Sequence, residues 1–199
     1  MAVTAANSFA FVTIRFDSTS LGGGADYVYN GNNHSSFAGL LNFTNLTANV
    51  PFTTICVDLD HTISGGSTYN ANLVPTLGDP TFEAAGSVYA HGIGSVATNG
   101  DATALQLAVW AARYGCDLNT NTGGTFQVSS SWATSNALTF AEAQGYFNAG
   151  MVSAQDAIRY APDPEGSGQA QLGPVPEPVS LLALGVALSG VFRKRFRKG

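Results

Sequence analysis

The first sixty residues carry short apolar runs separated by turn residues, a pattern typical of a β-rich chain. Residues 9–16 alternate partly and are rich in aromatic and β-branched side chains, so they predict a first strand. The glycine-rich segment 21–25 predicts a break, after which Tyr27–Tyr29 and Asn30-Gly31 predict a short strand entering a turn. Two further strands are expected at residues 37–46 and 52–59.

Helical spacing begins after the polar segment 64–80, which we expect to form a loop. Apolar side chains recur at helical spacing over 82–96, and a second helix is predicted over 102–114, with Asp101 as its cap and Gly115 at its end. The remaining expectations are a loop over 117–131, a weaker helix over 140–149, and strands within 158–160 and 169–172. The expected fold is therefore α+β, a β-rich single domain over residues 1–172 with a sandwich-like or barrel-like sheet and two or three helices packed on it.

Charge divides the chain into two unequal parts. There are 8 basic and 13 acidic residues, and five of the basic residues lie in the last seven positions. The rest of the chain has three arginines and no lysine, so its strong negative charge argues against a nucleic-acid partner. Because no phosphate-binding loop, dinucleotide fingerprint or Gly-x-Ser-x-Gly motif occurs, we expect no cofactor and no conventional enzyme.

The sequence pattern over residues 173–199 indicates a separate tail. Pro176-Glu177-Pro178 precedes an apolar segment over 179–192, whose helix would be about 21 Å long against a hydrocarbon core of about 30 Å. A basic stop follows the apolar segment and would stay on the cytoplasmic side of a membrane. It consists of Arg193, Lys194, Arg195, Arg197 and Lys198.

This order of short motif, apolar helix and basic stop resembles the PEP-CTERM sorting signal of Gram-negative bacteria. The resemblance implies export, cleavage near Pro176–Pro178 by an exosortase-type membrane protease, and transient anchoring in the inner membrane. The destination would be the cell surface or the extracellular matrix. A plain tail-anchoring helix is the alternative. The first residues have no basic region followed by an apolar run, so we expect that an export leader is missing from this sequence.

The helix predicted over 102–114 is apolar on nearly every face, which indicates a central buried helix. Gln106 lies in its middle, and a buried primary amide is costly unless its donors and acceptor find partners. Cys56 lies in the strand predicted over 52–59, where alternation places it on one face with Thr54 and Asp58. A cysteine thiolate can attack a glutamine carbonyl, expel ammonia and leave a thioester, if a fold holds the two groups together.

The segments Ile55-Cys56-Val57-Asp58-Leu59 and Leu105-Gln106-Leu107-Ala108-Val109-Trp110 resemble the bacterial thioester domain of surface adhesins. In that family a strand cysteine is joined to a glutamine that opens a Gln-x-Ala-apolar-Trp helix segment. Leu105 departs from the pattern, because the adhesins usually have threonine there, and Cys116 is extra.

The resemblance implies that Cys56 and Gln106 form an internal thioester, and that a primary amine on a surface or matrix molecule attacks Gln106. The reaction is a single-use acyl transfer, so turnover is not expected. Asp58 and His61 are candidates to assist it because they are close to Cys56 in sequence.

Other interpretations of the same residues stay open. Cys56 and Cys116 could form a disulfide in an exported, passive structural protein of extracellular polymer. The acidic and histidine side chains over 58–61 could bind a metal, although such a cluster without a loop pattern is usually solvated. A secreted hydrolase with an unrecognised site is the third alternative.

Overall fold

A long antiparallel hairpin begins the computed structural model, which describes residues 11–174. β1 (Phe11–Tyr29) and β2 (Asn32–Asn45) are joined by the turn at Asn30 and Gly31, both of which have positive φ. Asparagine followed by glycine tolerates this backbone well, as the sequence predicted. The expected break at residues 21–25 is wrong, because β1 continues through the glycines.

The glycines allow a close approach of the two strands. Gly22 and Gly39 are register partners, and each has a φ in the range that side chains rarely adopt. A Cβ at Gly22 would lie 2.5 Å from the carbonyl oxygen of Ala38. The pairing register shifts between Thr19 and Gly22, so the glycine segment forms an irregularity within the strand rather than its end.

The seven strands within residues 11–174 pair antiparallel in a single sheet. The further strands are β3 (Val50–Cys56), β4 (Thr68–Pro75), β5 (Phe126–Val128), β6 (Ile158–Asp163) and β7 (Gln171–Gly173). Their order is β2-β3-β7-β6-β4-β1-β5, and the additional β1–β2 pairing closes the sheet into a barrel-like form. The fold is thus α+β and a single domain, as the sequence predicted.

Two loop predictions are wrong. β4 occupies the middle of the segment 64–80 and pairs with both β1 and β6, so it is needed to close the sheet. β5 lies within 117–131 and pairs with the end of β1. Both strands are short or polar in sequence, and they are stabilised by neighbours that are distant along the chain.

The helices are α1 (Glu83–Gly92), α2 (Asn99–Tyr114), the short α3 (Ser130–Ser135) and α4 (Ala137–Val152). α2 packs against α1 and α4 as well as β1 and β2, which confirms it as the central helix. Thr98 is its N-cap, and Asp101 completes a capping box three residues later instead of being the cap itself. Gly115 ends the helix with φ 75°, as predicted.

Two aromatic clusters fill the core. Rings from five strands meet inside the closed sheet, with Phe43 in contact with Phe16, Phe52 and Tyr69, and Phe52 stacked on Tyr160. A second cluster joins α2 to the sheet through Trp110, Tyr27 and Phe126, whose ring centroids are 5.3–5.9 Å apart. This second cluster fixes the rotation of α2 and therefore the direction of Gln106.

Within residues 11–174, no helix combines the length and the apolarity needed to cross a membrane. The predicted sorting tail, with Pro176-Glu177-Pro178, the apolar segment 179–192 and the basic stop at 193–198, lies outside the described residues.

Candidate functional site

Gln106 and Cys56 lie in direct contact where β3 meets α2. The main-chain N–H of Cys56 donates to Oε1 of Gln106 at 3.1 Å, and Nε2 of Gln106 donates to the carbonyl oxygen of Cys56 at 2.6 Å. Only 1% of Gln106 is exposed, so these two bonds supply the partners that its buried amide needs. The side-chain amide of Gln106 thus pairs with the last residue of β3 as a neighbouring strand would.

Cys56 and Gln106 share a cavity as well as hydrogen bonds. Both residues line one cavity of about 260 Å³, together with Tyr27 and Trp110. The hydrogen bond from the Cys56 N–H also polarises the Gln106 carbonyl and is aimed where negative charge would develop in an attack on Cδ.

The surroundings of the sulfur keep it protonated at neutral pH. Burial raises the pKa of the Cys56 thiol to about 12, while the backbone N–H of Asp58 and the proximity of the Trp110 indole oppose the rise. Sγ donates to the carbonyl oxygen of Asp58 at 3.0 Å and accepts from its N–H at 3.4 Å. The indole Nε1 of Trp110 makes no hydrogen bond to any residue within 11–174. Attack by the thiol would therefore need a group that accepts its proton.

Asp58 and His61 line the same cavity and bind each other. Nδ1 of His61 lies 2.7 Å from Oδ2 of Asp58, and this contact raises the pKa of His61 above its usual value. The Asp58 carboxylate also accepts from the N–H of Asp60 at 2.9 Å, and Asp58 contacts the sulfur through its main chain only. Among the described residues, no hydrogen bond joins His61 to Cys56 or Gln106, so their assisting role stays a prediction.

The His61–Asp58 pair gives a pH-dependent contribution to stability. Because the folded-state pKa of His61 is raised, this contribution is fully present below the unfolded pKa of about 6.5 and is lost as pH rises through the folded pKa. With 41% of the His61 side chain exposed, we expect less than about 1 kcal/mol. Thermal unfolding should show that His61→Gln lowers the Tm more at pH 6 than at pH 9.

His34→Gln is the matched control for this measurement. His34 stacks on Tyr27 and makes no ion pair with any carboxylate within residues 11–174. We expect no comparable pH dependence for this variant. A His61→Gln effect that is equal at both pH values would contradict the ion pair.

Two glutamines from the end of the domain hold the loop after Cys56. Nε2 of Gln169 donates to the carbonyl oxygens of Asp58 at 3.0 Å and His61 at 2.7 Å, and its Oε1 accepts from Gln171 at 3.0 Å. Sequence reasoning missed both residues, because they are more than 100 positions from the loop that they support. Tyr27 in the cavity wall was missed as well, having been interpreted only as a strand residue.

Cys116 lies in a different environment. It follows the end of α2, is 2% exposed and has Oδ1 of Asn121 as its polar neighbour at 4.0 Å. Both cysteines are free thiols in the structure. The acidic and histidine side chains over 58–61 bind each other, Tyr29 or the main chain, and no metal-binding cluster forms within residues 11–174.

No family of proteins, no curated protein and no solved structure matches this chain.

Proposed function

We propose that Cys56 and Gln106 condense to an internal thioester, and that the thioester acylates a primary amine on a surface or matrix molecule. One observation carries this proposal. The Gln106 carboxamide makes two hydrogen bonds to the main chain of Cys56, and both residues line the same cavity. The arrangement brings the two residues together and supplies a donor to the carbonyl oxygen before any reaction begins.

The first step joins Sγ of Cys56 to Cδ of Gln106 and breaks the bond from Cδ to Nε2. The thiol proton leaves with Nε2, and ammonia is released. In the second step an amine attacks Cδ, forms an amide and returns Cys56 to its thiol form. Because Gln106 is then permanently substituted, each molecule reacts once.

The cavity limits which amines can react. About 260 Å³ admits an amine on a slender stem rather than a folded surface, and the walls include the apolar side chains Phe16, Phe37 and Leu41. A lysine side chain or a terminal aminoalkyl group suits such an opening. We therefore propose that the target presents its amine on a flexible chain.

The cellular setting is proposed from the tail alone. The sequence over 176–198 supports export, processing by an exosortase-type membrane protease near Pro176–Pro178, and display at the surface or in the matrix of a Gram-negative cell. A covalent bond would then retain the domain on its target after the membrane segment is removed.

Incubation of the full chain with a fluorescent aminoalkyl probe such as dansylcadaverine tests the proposal. The expected result is one probe for each protein molecule, found on Gln106 by peptide mass spectrometry, with release of one reactive thiol. No incorporation would contradict the proposal. Gln106 would then have only a structural role, as the hydrogen-bond partner of the Cys56 main chain. Incorporation at another glutamine would also contradict the proposal.

A further inference from the structure

A larger cavity lies beside the thioester site and contains two of the three arginines that precede the basic tail. Its volume is about 660 Å³, and it shares Asp58 and His61 with the smaller cavity. Arg113 at the end of α2 and Arg159 in β6 both line it, as does Phe82. The rest of the chain up to residue 192 has Arg15 as its only further arginine and has no lysine, so this pairing concentrates most of its permanent positive charge.

Both arginines contact the same aromatic ring. Cζ of Arg113 lies 4.2 Å from the centroid of Phe82, and Cζ of Arg159 lies 4.1 Å from it. Because both Cζ atoms lie this close to one centroid, the two guanidinium groups are at most about 8 Å apart. The ring attracts both cations, but it satisfies none of their N–H donors.

The Nε donors of both guanidinium groups are unsatisfied by the part of the chain that the structure describes. Nε of each arginine is buried and has no acceptor within residues 11–174. The nearest carboxylate oxygen is Oδ2 of Asp79, 3.6 Å from Nη2 of Arg159, which is an ion-pair distance rather than a hydrogen bond. Donors of this kind are rarely left unsatisfied in proteins, and guanidinium groups bind carboxylates especially well.

The spacing suits one carboxylate that contacts both guanidinium groups. An oxygen atom facing each guanidinium, with N–H···O contacts of about 2.9 Å on both sides, bridges a gap of this size. The remaining wall includes Asn72, Asp60, Asp163 and Glu165. These side chains accept hydrogen bonds from hydroxyl groups, and the negative charge of the three carboxylates disfavours a ligand with several anionic groups.

We propose that the Arg113–Phe82–Arg159 cavity binds a polyhydroxylated carboxylate of sugar size, such as a uronic acid. The carboxylate contacts the two arginines, and the hydroxyl groups contact the acidic wall. This site is separate from the Cys56–Gln106 chemistry and does not depend on it. If both sites act, a surface that carries uronic acids would be held by this cavity while an amine reacts next to it.

Binding of D-glucuronate to the full-length Cys56→Ala protein tests the proposal, because this variant cannot form a thioester. Titration followed by amide chemical shifts should give saturable binding, with the largest shifts around the cavity. D-glucuronamide, which has the same hydroxyl groups without the charge, should bind at least about tenfold more weakly. Inorganic phosphate should also be weaker, since the acidic wall repels a divalent anion.

Single variants assign the binding to the arginines. Arg113→Gln and Arg159→Gln should each weaken glucuronate binding about tenfold or more, because each removes a charged donor. Arg15→Gln is the matched control, since Arg15 is exposed, pairs with Asp17 at 2.6 Å and lies outside the cavity. Equal binding of glucuronate and glucuronamide to the unsubstituted cavity would overturn the proposal without any variant. Tighter binding of phosphate, or an Arg15→Gln loss as large as the others, would also overturn it.

Discussion

Replacement of Cys56 by alanine is expected to abolish amine incorporation at Gln106 completely. Without Sγ no thioester forms, and an unactivated carboxamide does not exchange its amine at a measurable rate in water. The main-chain bonds to Gln106 do not involve the Cys56 side chain, so the variant should keep the fold. Probe incorporation by mass spectrometry measures the loss, and circular dichroism confirms that the protein is folded.

Cys116→Ala is the matched control, since it removes a second buried thiol that does not line the Gln106 cavity. It should incorporate the probe as the unsubstituted protein does. Incorporation that survives in Cys56→Ala, or that is lost equally in Cys116→Ala, would contradict the assignment of Cys56 as the reacting thiol.

Replacement of Gln106 by glutamate is expected to make stability strongly dependent on pH. A protonated glutamate can donate to the Cys56 carbonyl and accept from the Cys56 N–H, whereas an ionised one places a buried charge beside that carbonyl. The pKa of this glutamate would thus rise above its unfolded value of about 4.3, so the folded state binds more protons. Stability is then lost as pH rises from about 4.3 to the folded pKa, by about 3 kcal/mol or more.

This experiment is best carried out in the Cys56→Ala background, where every variant has the same uncrosslinked chain. Gln106→Leu is the control, because it leaves the Cys56 N–H and C=O unpaired at every pH and should cost about 2–4 kcal/mol independently of pH. Urea unfolding at pH 4.5 and pH 8 measures both. A Gln106→Glu variant with the same stability at both pH values would contradict the pairing of this side chain with Cys56.

The central helix was predictable because its signals are local. Its apolar residues, its cap region and Gly115 lie within one continuous segment, and Gln106 is conspicuous there as the polar residue among apolar neighbours. Its partner could be inferred from chemical complementarity between a buried amide and a strand cysteine. The actual hydrogen bonds, however, go to the main chain of Cys56, which side-chain chemistry alone does not indicate.

The closure of the sheet was not predictable in detail. β4 is a mixed segment of polar and apolar residues whose partners β1 and β6 are far away in sequence, so no local pattern distinguishes it from a loop. Likewise, the glycines at 22–24 are typical of a chain break, but they stay in the strand because Gly22 meets Gly39 of the opposite strand. Long-range pairing overrode the local preference in both cases.

The residues around the site were likewise predictable only where the sequence signal is local. Asp58 and His61 were suggested by their closeness to Cys56, and they do lie in the cavity wall. Gln169 fixes the loop that contains them from the far end of the domain, and only the fold brings it there. Arg113 and Arg159 are 46 positions apart, and the fold brings both against the ring of Phe82. Their pairing could therefore not be inferred from the sequence either.

The intact mass of the freshly purified protein is the sharpest test for a Cys56–Gln106 thioester. An internal thioester predicts a mass one ammonia below that of the sequence, with only one titratable thiol. Methylamine should then add to the protein at Gln106 and release the second thiol. A mass equal to that of the sequence, with two titratable thiols, would show that no thioester forms. A loss of two hydrogens, with no thiol and no response to methylamine, would identify a Cys56–Cys116 disulfide instead.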